Sequence, residues 1–204
     1  MTEIEMLLIK LERALSEFQG FDGWLIGKCN LNITNRLEIE EKDKAELFKA
    51  SLLKRNNMLA VFQVYGNQGK LEGRIELTLI KPVLTKKYIN KGSKDKTGKR
   101  YGTLIFSPEQ VSRFLDSVSD TNPIHTGNDP IIPGFMIINQ VVGQAEEIIH
   151  KKTGDSFKTE VKFLSPMRTG QQAELWMEGI DPDGFRICGF LKESEIFNLK
   201  INKE

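Results

Sequence analysis

The stretch FMIINQVVGQA, residues 135–145, is apolar on nearly every side. A helix at the surface of a globular protein keeps a polar face, so a run of this kind has to be covered all round. The helical pattern continues to Lys152, with His150, Lys151, Lys152 and Gly154 as stop signals and Pro133-Gly134 as its opening. Gly143 costs helix propensity, which predicts that a strand approaches the backbone closely there. The spacing therefore predicts a long helix over 135–152, wrapped by a sheet.

Strands able to wrap it follow at once. SFKTEVKFLSPM, QAELWMEGI, GFRICGFLK and EIFNLKI are short and rich in branched and aromatic residues, with Asp181-Pro182-Asp183-Gly184 as a hairpin turn. Upstream, RYGTLIF reads as a strand leading into a second helix. Ser107 is its N-cap, Pro108 fits the first helical position and Gln110 completes a capping box. Val111, Phe114, Leu115 and Val118 then share one face.

The first half repeats this order. Residues 3–18 read as an amphipathic helix with Ile4, Leu7, Leu8, Leu11, Leu15 and Phe18 along one stripe, stopped at Gly20. NLNITNRLEIE, KAELFKASLL, MLAVFQVYG and KLEGRIELTLI follow as a meander, with turn signals at Arg55-Asn56-Asn57 and Gly66-Asn67-Gln68-Gly69. Each half is a helix followed by four strands, and the echo AELF at 45–48 and AELW at 173–176 falls in equivalent strands. Two related α+β units are expected, 1–84 and 99–204, joined by a linker over 85–98. The stretch TKKYINKGSKDKTGKR, residues 85–100, is crowded with Lys and Arg and reads as solvated chain. Its alternative role is to steer an anionic carrier, through Lys94, Lys96 and Lys99.

Composition narrows the function. The 204 residues are 39% hydrophobic and 28% charged, with 29 basic and 28 acidic side chains for a formal charge of +1. That balance argues against nucleic acid or a membrane surface as partner. The amino-terminal MTEIEMLLIKLERALSEF is neither a secretory signal nor a spanning helix, and a cytoplasmic location is expected. Cys29 and Cys188 lie far apart and read as buried reduced thiols, and two histidines and two cysteines at such spacing predict no metal site.

The chemistry concentrates in SDTNPIHTGNDPIIPGF, residues 119–135, which holds two acids, three prolines and one of the two histidines. Asn, Asp, Pro and Gly also build plain turns, and a lone loop histidine is more often a surface residue. Here, though, Pro123 stiffens the short span between Asp120 and His125, so a carboxylate and an imidazole can converge on one water for acid–base work. Asn122 can fix the turn or orient the carboxylate. The backbone N–H of Gly134, at the positive end of an apolar helix, can stabilise an oxyanion on a carbonyl.

FSPEQVSRFLDSVSDTNPIH resembles the entry helix and signature of the MaoC-like enoyl hydratase and dehydratase family, the (R)-specific enoyl-CoA hydratases. The family motif D-x-N-P-I/L-H is matched by Asp120, Asn122, Pro123, Ile124 and His125. The resemblance implies a double hotdog, each unit a long helix wrapped by a curved antiparallel sheet, with a degenerate first unit and the active site in the second. It implies reversible conversion of trans-2-enoyl to (3R)-3-hydroxyacyl thioesters, carried on coenzyme A or acyl carrier protein, without a cofactor. Asp120, His125 and the Gly134 N–H would be catalytic, with Asn122 supporting them. Phe135, Met136, Ile138 and Ile132 would line an acyl tunnel; the first three can equally be plain core. The two units would form an internal pseudo-dimer, with a further homodimer allowed but not required.

HTGNDPIIPGFMI also resembles the segment of bacterial hydroxyacyl-carrier-protein dehydratases in which a histidine precedes M-P-G. Those enzymes carry a glutamate on the following helix, where this chain has Asn139, so Asp120 has to supply the carboxylate. Two departures stand out: Ser119 replaces the usual glycine before the aspartate, and the span from His125 to Pro133 is short. Rival readings are a non-catalytic acyl-binding protein and a thioesterase on the same fold.

Overall fold

A computed structural model describes residues 2–35, 48–68, 70–81, 95–154, 156–181 and 184–204. Helix α1, Glu3–Arg13, starts at a capping box in which the Thr2 N–H donates to Glu5 Oε2 (2.7 Å) and the Glu5 N–H to Thr2 Oγ1 (3.2 Å). It ends five residues before the expected Phe18. The Leu15 and Ser16 N–H groups reach back only three residues, to Glu12 and Arg13, so the last turn tightens and breaks. Leu15 and Phe18 still pack on the core, because that turn keeps them on the same side.

The strands are β1 (Leu25–Asn35), β2 (Lys49–Arg55), β3 (Leu59–Gln68), β4 (Leu71–Ile80) and β5 (Lys99–Leu104), then β6 (Phe157–Phe163), β7 (Ala173–Asp181), β8 (Gly184–Leu191) and β9 (Ser194–Lys203). They form one antiparallel sheet in the order β2-β3-β4-β1-β6-β9-β8-β7-β5. From the β1–β6 seam outward, β4, β3, β2 on one side mirror β9, β8, β7 on the other. Along the seam Lys28 stands opposite Lys162, and Glu160 bridges both at 2.8 and 2.9 Å. Hydrogen bonds from Lys28 and Lys162 hold the Glu160 carboxyl at about 2. AELW opens β7; residues 45–47 of its echo lie outside the described residues, as do 182–183 of the expected hairpin turn and most of the linker, 82–94.

Two turn expectations fare differently. At Asn56 the side-chain oxygen accepts from the N–H groups of Met58 and Leu59, both at 2.8 Å, and turns β2 into β3. Gly66, by contrast, stays inside β3 and pairs with Gly73 of β4. A Cβ on Gly73 would lie 2.8 Å from Leu11 and 2.9 Å from Leu7, so the bare backbone there is what lets α1 lie on the sheet.

The second half adds α2 (Pro108–Val118) and α3 (Gly134–Thr153). The Ser107 capping box forms as expected: the Gln110 N–H donates to Ser107 Oγ, and the Ser107 N–H to Gln110 Oε1. α3 is buried at Phe135, Met136, Ile137, Ile138, Val141, Val142, Ala145 and Ile149. It packs on β6, β9 and α1, so helices as well as sheet cover it. Gly143 faces the side chain of Glu5 on α1, not a strand as expected: a Cβ there would sit 2.6 Å from Glu5 Oε1. The reason is that α1 lies across α3. Cys29 and Cys188 are buried and form no disulfide. Among the described residues no helix is long and apolar enough to cross a membrane.

Gly73→Ala should destabilise the fold by about 1–3 kcal/mol, because the fully buried Leu7 and Leu11 have nowhere to move. Urea denaturation at constant m-value is the check; an unchanged midpoint would mean that α1 rides loosely on the sheet.

Candidate active site

Asp120 enters the site through the end of α2. Ser119, the C-cap, adopts a left-handed conformation (φ 57°), which turns the chain at once toward the cavity. A glycine would take that conformation without strain, the physical content of the departure at Ser119. The Asn122 N–H then donates to Asp120 Oδ1 at 2.8 Å. Residues 123–125 form a single 3-10 turn, which places His125 beside the carboxylate with Nε2 3.6 Å from Oδ2. That is too long for a direct hydrogen bond.

The other imidazole nitrogen settles the tautomer. Nδ1 lies 2.7 Å from the Ile131 carbonyl oxygen, which can only accept, so Nδ1 carries the proton. His125 is 8% exposed, and its burial lowers its pKa below the ordinary 6.5 against the opposing pull of the Ile131 carbonyl and the Asp120 charge. The imidazole is therefore neutral near pH 7, with the Nε2 lone pair facing Asp120. Two acceptors side by side are a holder for one water, which can donate to both.

The side chain of Asn122 does not touch Asp120. Its oxygen accepts from the Gly23 N–H (2.9 Å) and its amide donates to the Trp24 carbonyl (3.1 Å), which ties the motif to the segment before β1. The short loop after His125 is pinned as well. Arg168 donates to the Asp129 carbonyl (2.6 Å) and pairs with its carboxylate (2.8 Å), while the Ile132 N–H donates to the Met167 carbonyl.

These elements enclose a cavity of about 660 Å³. Asp120, Asn122, His125, Ile132, Gly134 and Phe135 all line it, so six of the eight expected residues meet there. Gly134 is the first residue of α3, and the N-cap Pro133 offers no side-chain acceptor, so the helix start presents free N–H groups to the cavity. Met136 and Ile138 do not belong to it. Met136 points the other way, into a cleft of about 240 Å³ beside Phe106 and Phe114, and Ile138 is core at 1% exposure. Helical phase alone does not separate them, since Ile138 lies one turn from Phe135; the packing around the start of α3 leaves Phe135 and Ile137 at the cavity. Asn139 shares the cleft with Met136, well removed from the His125 side.

Sequence reasoning placed the whole site in the second half, but the first half builds much of its wall. Phe18, Phe21, Trp24 and Phe62 line the cavity as a T-shaped aromatic chain with centroids 4.9–5.4 Å apart. Glu12 lines it too, on α1, buried to 8% exposure and with Oε2 lacking a partner. Burial, then the Asp120 charge, holds its carboxyl well above the usual carboxylate range. The signal was visible: Glu12 is an acid on an apolar stripe, four residues after Leu8 and three before Leu15. Of the basic segment only residues 95–100 are described. Lys96 pairs with Glu174 (2.8 Å) near the β5 edge, and neither Lys96 nor Lys99 lines the cavity; Lys94 lies outside the described residues. Among the described residues no group of three or more His, Cys, Asp or Glu side chains is arranged to hold a metal ion.

No protein-family model and no curated protein sequence matches the chain. Solved structures do. HtdX of Mycobacterium tuberculosis superposes with a TM-score of 0.64 at 14% identity, over 98% of this chain and 86% of that one. A MaoC-like dehydratase of Phytophthora capsici gives 0.55 at 16%, over 92% and 71%. A 12:0-ACP thioesterase of Umbellularia californica gives 0.59 at 9%, over 98% and 86%. The chain is thus an α+β protein of the hotdog fold.

The two buried groups give opposite pH signatures. His125 has a lowered pKa, so its contribution to stability is present above 6.5 and is lost as pH falls through the lower folded value. Glu12 has a raised pKa, so its contribution is present below 4.5 and is lost as pH rises through the higher folded value. Melting curves should show His125→Gln flattening the loss below pH 6.5 and Glu12→Gln gaining stability above pH 4.5. Parallel curves for all three proteins would contradict the burial of these groups.

Proposed function

We infer that the chain is a double-hotdog hydro-lyase of MaoC-like type, interconverting trans-2-enoyl and (3R)-3-hydroxyacyl thioesters on coenzyme A or acyl carrier protein. The units proposed are 1–84 and 99–204, forming an internal pseudo-dimer. The observation that carries the reading is the Asp120–His125 pair, 3.6 Å apart as two acceptors, at the wall of an aromatic-lined cavity into which a helix N-terminus also opens.

Each part has a chemical task. The pair holds the catalytic water, and its nitrogen and oxygen lone pairs take up the proton exchanged with C2. The thioester carbonyl lies against the Gly134 N–H, whose hydrogen bond strengthens as charge develops on the oxygen in an enolate-like transition state. Asn122 keeps the motif seated on Gly23 and Trp24. Phe18, Phe21, Phe62 and Phe135 receive the acyl chain, and about 660 Å³ is within the range of small-molecule sites. The thioester itself acidifies C2, so the chemistry calls for no redox cofactor.

A thioesterase is the second reading, favoured by the likeness to the 12:0-ACP thioesterase, since water beside the same carbonyl could attack it instead. One assay separates the two. With crotonyl-CoA and a longer enoyl thioester, the hydratase consumes the conjugated chromophore without releasing free thiol; a thioesterase releases thiol; a non-catalytic acyl-binding protein does neither. Asp120→Asn and His125→Ala should each lower kcat by roughly 10²–10⁴-fold. Full activity in both variants would remove the pair from the chemistry.

A further inference from the structure

We propose that Glu12, on the helix of the first half, is the general acid of the site: it delivers the proton with which the 3-hydroxyl leaves as water, and recovers it in the reverse direction. The inference rests on the hydro-lyase reading above.

The argument is a count of protons. Dehydration needs a base for the C2 hydrogen and a donor for the departing oxygen. His125 has its N–H on Nδ1, committed to the Ile131 carbonyl, and turns a lone pair toward the cavity. Asp120 accepts from the Asn122 N–H at Oδ1 and faces the His125 lone pair with Oδ2. In this arrangement both members of the pair are acceptors. A base is present twice over, and neither member offers a proton to a leaving hydroxyl.

Glu12 supplies the missing donor. It lines the same cavity and is more than nine-tenths buried, and Oε2 has no hydrogen-bond partner. A buried ionised carboxylate without partners would be costly, and the Asp120 charge adds repulsion, so the group stands as a neutral acid. The other titratable groups near it do not reverse this. Cys29, on β1, is buried and held as the thiol, Asp22 brings a further negative charge to the cavity wall, and His125 is neutral.

The step balances within the chain. The C2–H bond breaks with its proton going to His125 Nε2, and that electron pair forms the C2–C3 double bond. The C3–O bond breaks as its oxygen takes the Glu12 proton and leaves as water. Glu12 is left as the carboxylate and His125 as imidazolium beside Asp120, and one proton passed from His125 to Glu12 through solvent resets the site. Asn139, which stands at the helix position where the bacterial carrier-protein dehydratases have their glutamate, lies outside this cavity; a carboxyl from the opposite helix, α1, takes that task.

The test separates the acid from the base by changing the leaving group. Chloride departs from C3 without a proton, so 3-chlorobutyryl-CoA needs only the base, whereas 3-hydroxybutyryl-CoA needs both. In Glu12→Gln, kcat for 3-hydroxybutyryl-CoA should fall roughly 10²-fold or more with little change in KM, while chloride release above background stays within about threefold of wild type. His125→Ala should lose both reactions. Retained chloride release also shows that the Glu12→Gln protein is folded. Wild-type rates on 3-hydroxybutyryl-CoA in Glu12→Gln, or equal losses on both substrates, would overturn the role while leaving the hydro-lyase reading intact. A wild-type protein inert toward both 3-hydroxybutyryl-CoA and crotonyl-CoA would overturn that reading and this role with it.

Discussion

The pairing of β1 with β6 is the interaction on which the rest of this structure depends. It joins the two halves into one sheet, and it brings the end of α1 and residues 18–26 against the 118–135 segment that follows α2. The seam would set Lys28 against Lys162, and Glu160 resolves that repulsion by bridging both. Away from the sheet a second tie, the Asn122 amide on Gly23 and Trp24, closes the same junction. These two ties hold the walls of the cavity together; Glu12, Phe18, Phe21, Trp24 and Phe62 come from one half, and Asp120, His125 and Phe135 from the other.

Burial then decides what each polar group can do. A carboxyl on α1 in water would be an ordinary surface anion. Under the sheet and beside Asp120 the Glu12 carboxyl is held well above the usual carboxylate range. The imidazole, fixed through Nδ1 by a backbone carbonyl, is held below its ordinary pKa by desolvation. The same low-polarity surroundings thus push a carboxyl and an imidazole in opposite pKa directions, the condition on which the proposed acid and base rest. The aromatic chain of Phe18, Phe62, Phe21 and Trp24 gives those surroundings an apolar wall.

Much of this was legible in the chain. The Ser107 capping box, the apolar run of α3, the Asn56 turn and the aspartate–histidine spacing are local patterns, and local geometry turns them into the elements observed. Where the reading missed, a longer-range contact intervened. Gly66 looked like a turn residue but lies in a strand under α1, paired with Gly73; Gly143 looked like a strand contact but faces Glu5. Met136 and Ile138 were apolar in the right helix, yet the packing around its first turns sends Met136 into the cleft beside Phe106 and Ile138 into the core, and leaves Phe135 and Ile137 at the cavity.

By itself the sequence determined the elements, their order in two halves and the motif that sets Asp120 beside His125, because each follows from contacts a few residues apart. The tertiary structure alone decided that the site is shared. Glu12 and His125 are more than a hundred residues apart, and nothing in the spacing of either reveals that a strand pairing in the middle of the sheet will turn both into one cavity. Their proton states were equally out of reach, since a pKa is set by whatever surrounds a group after folding.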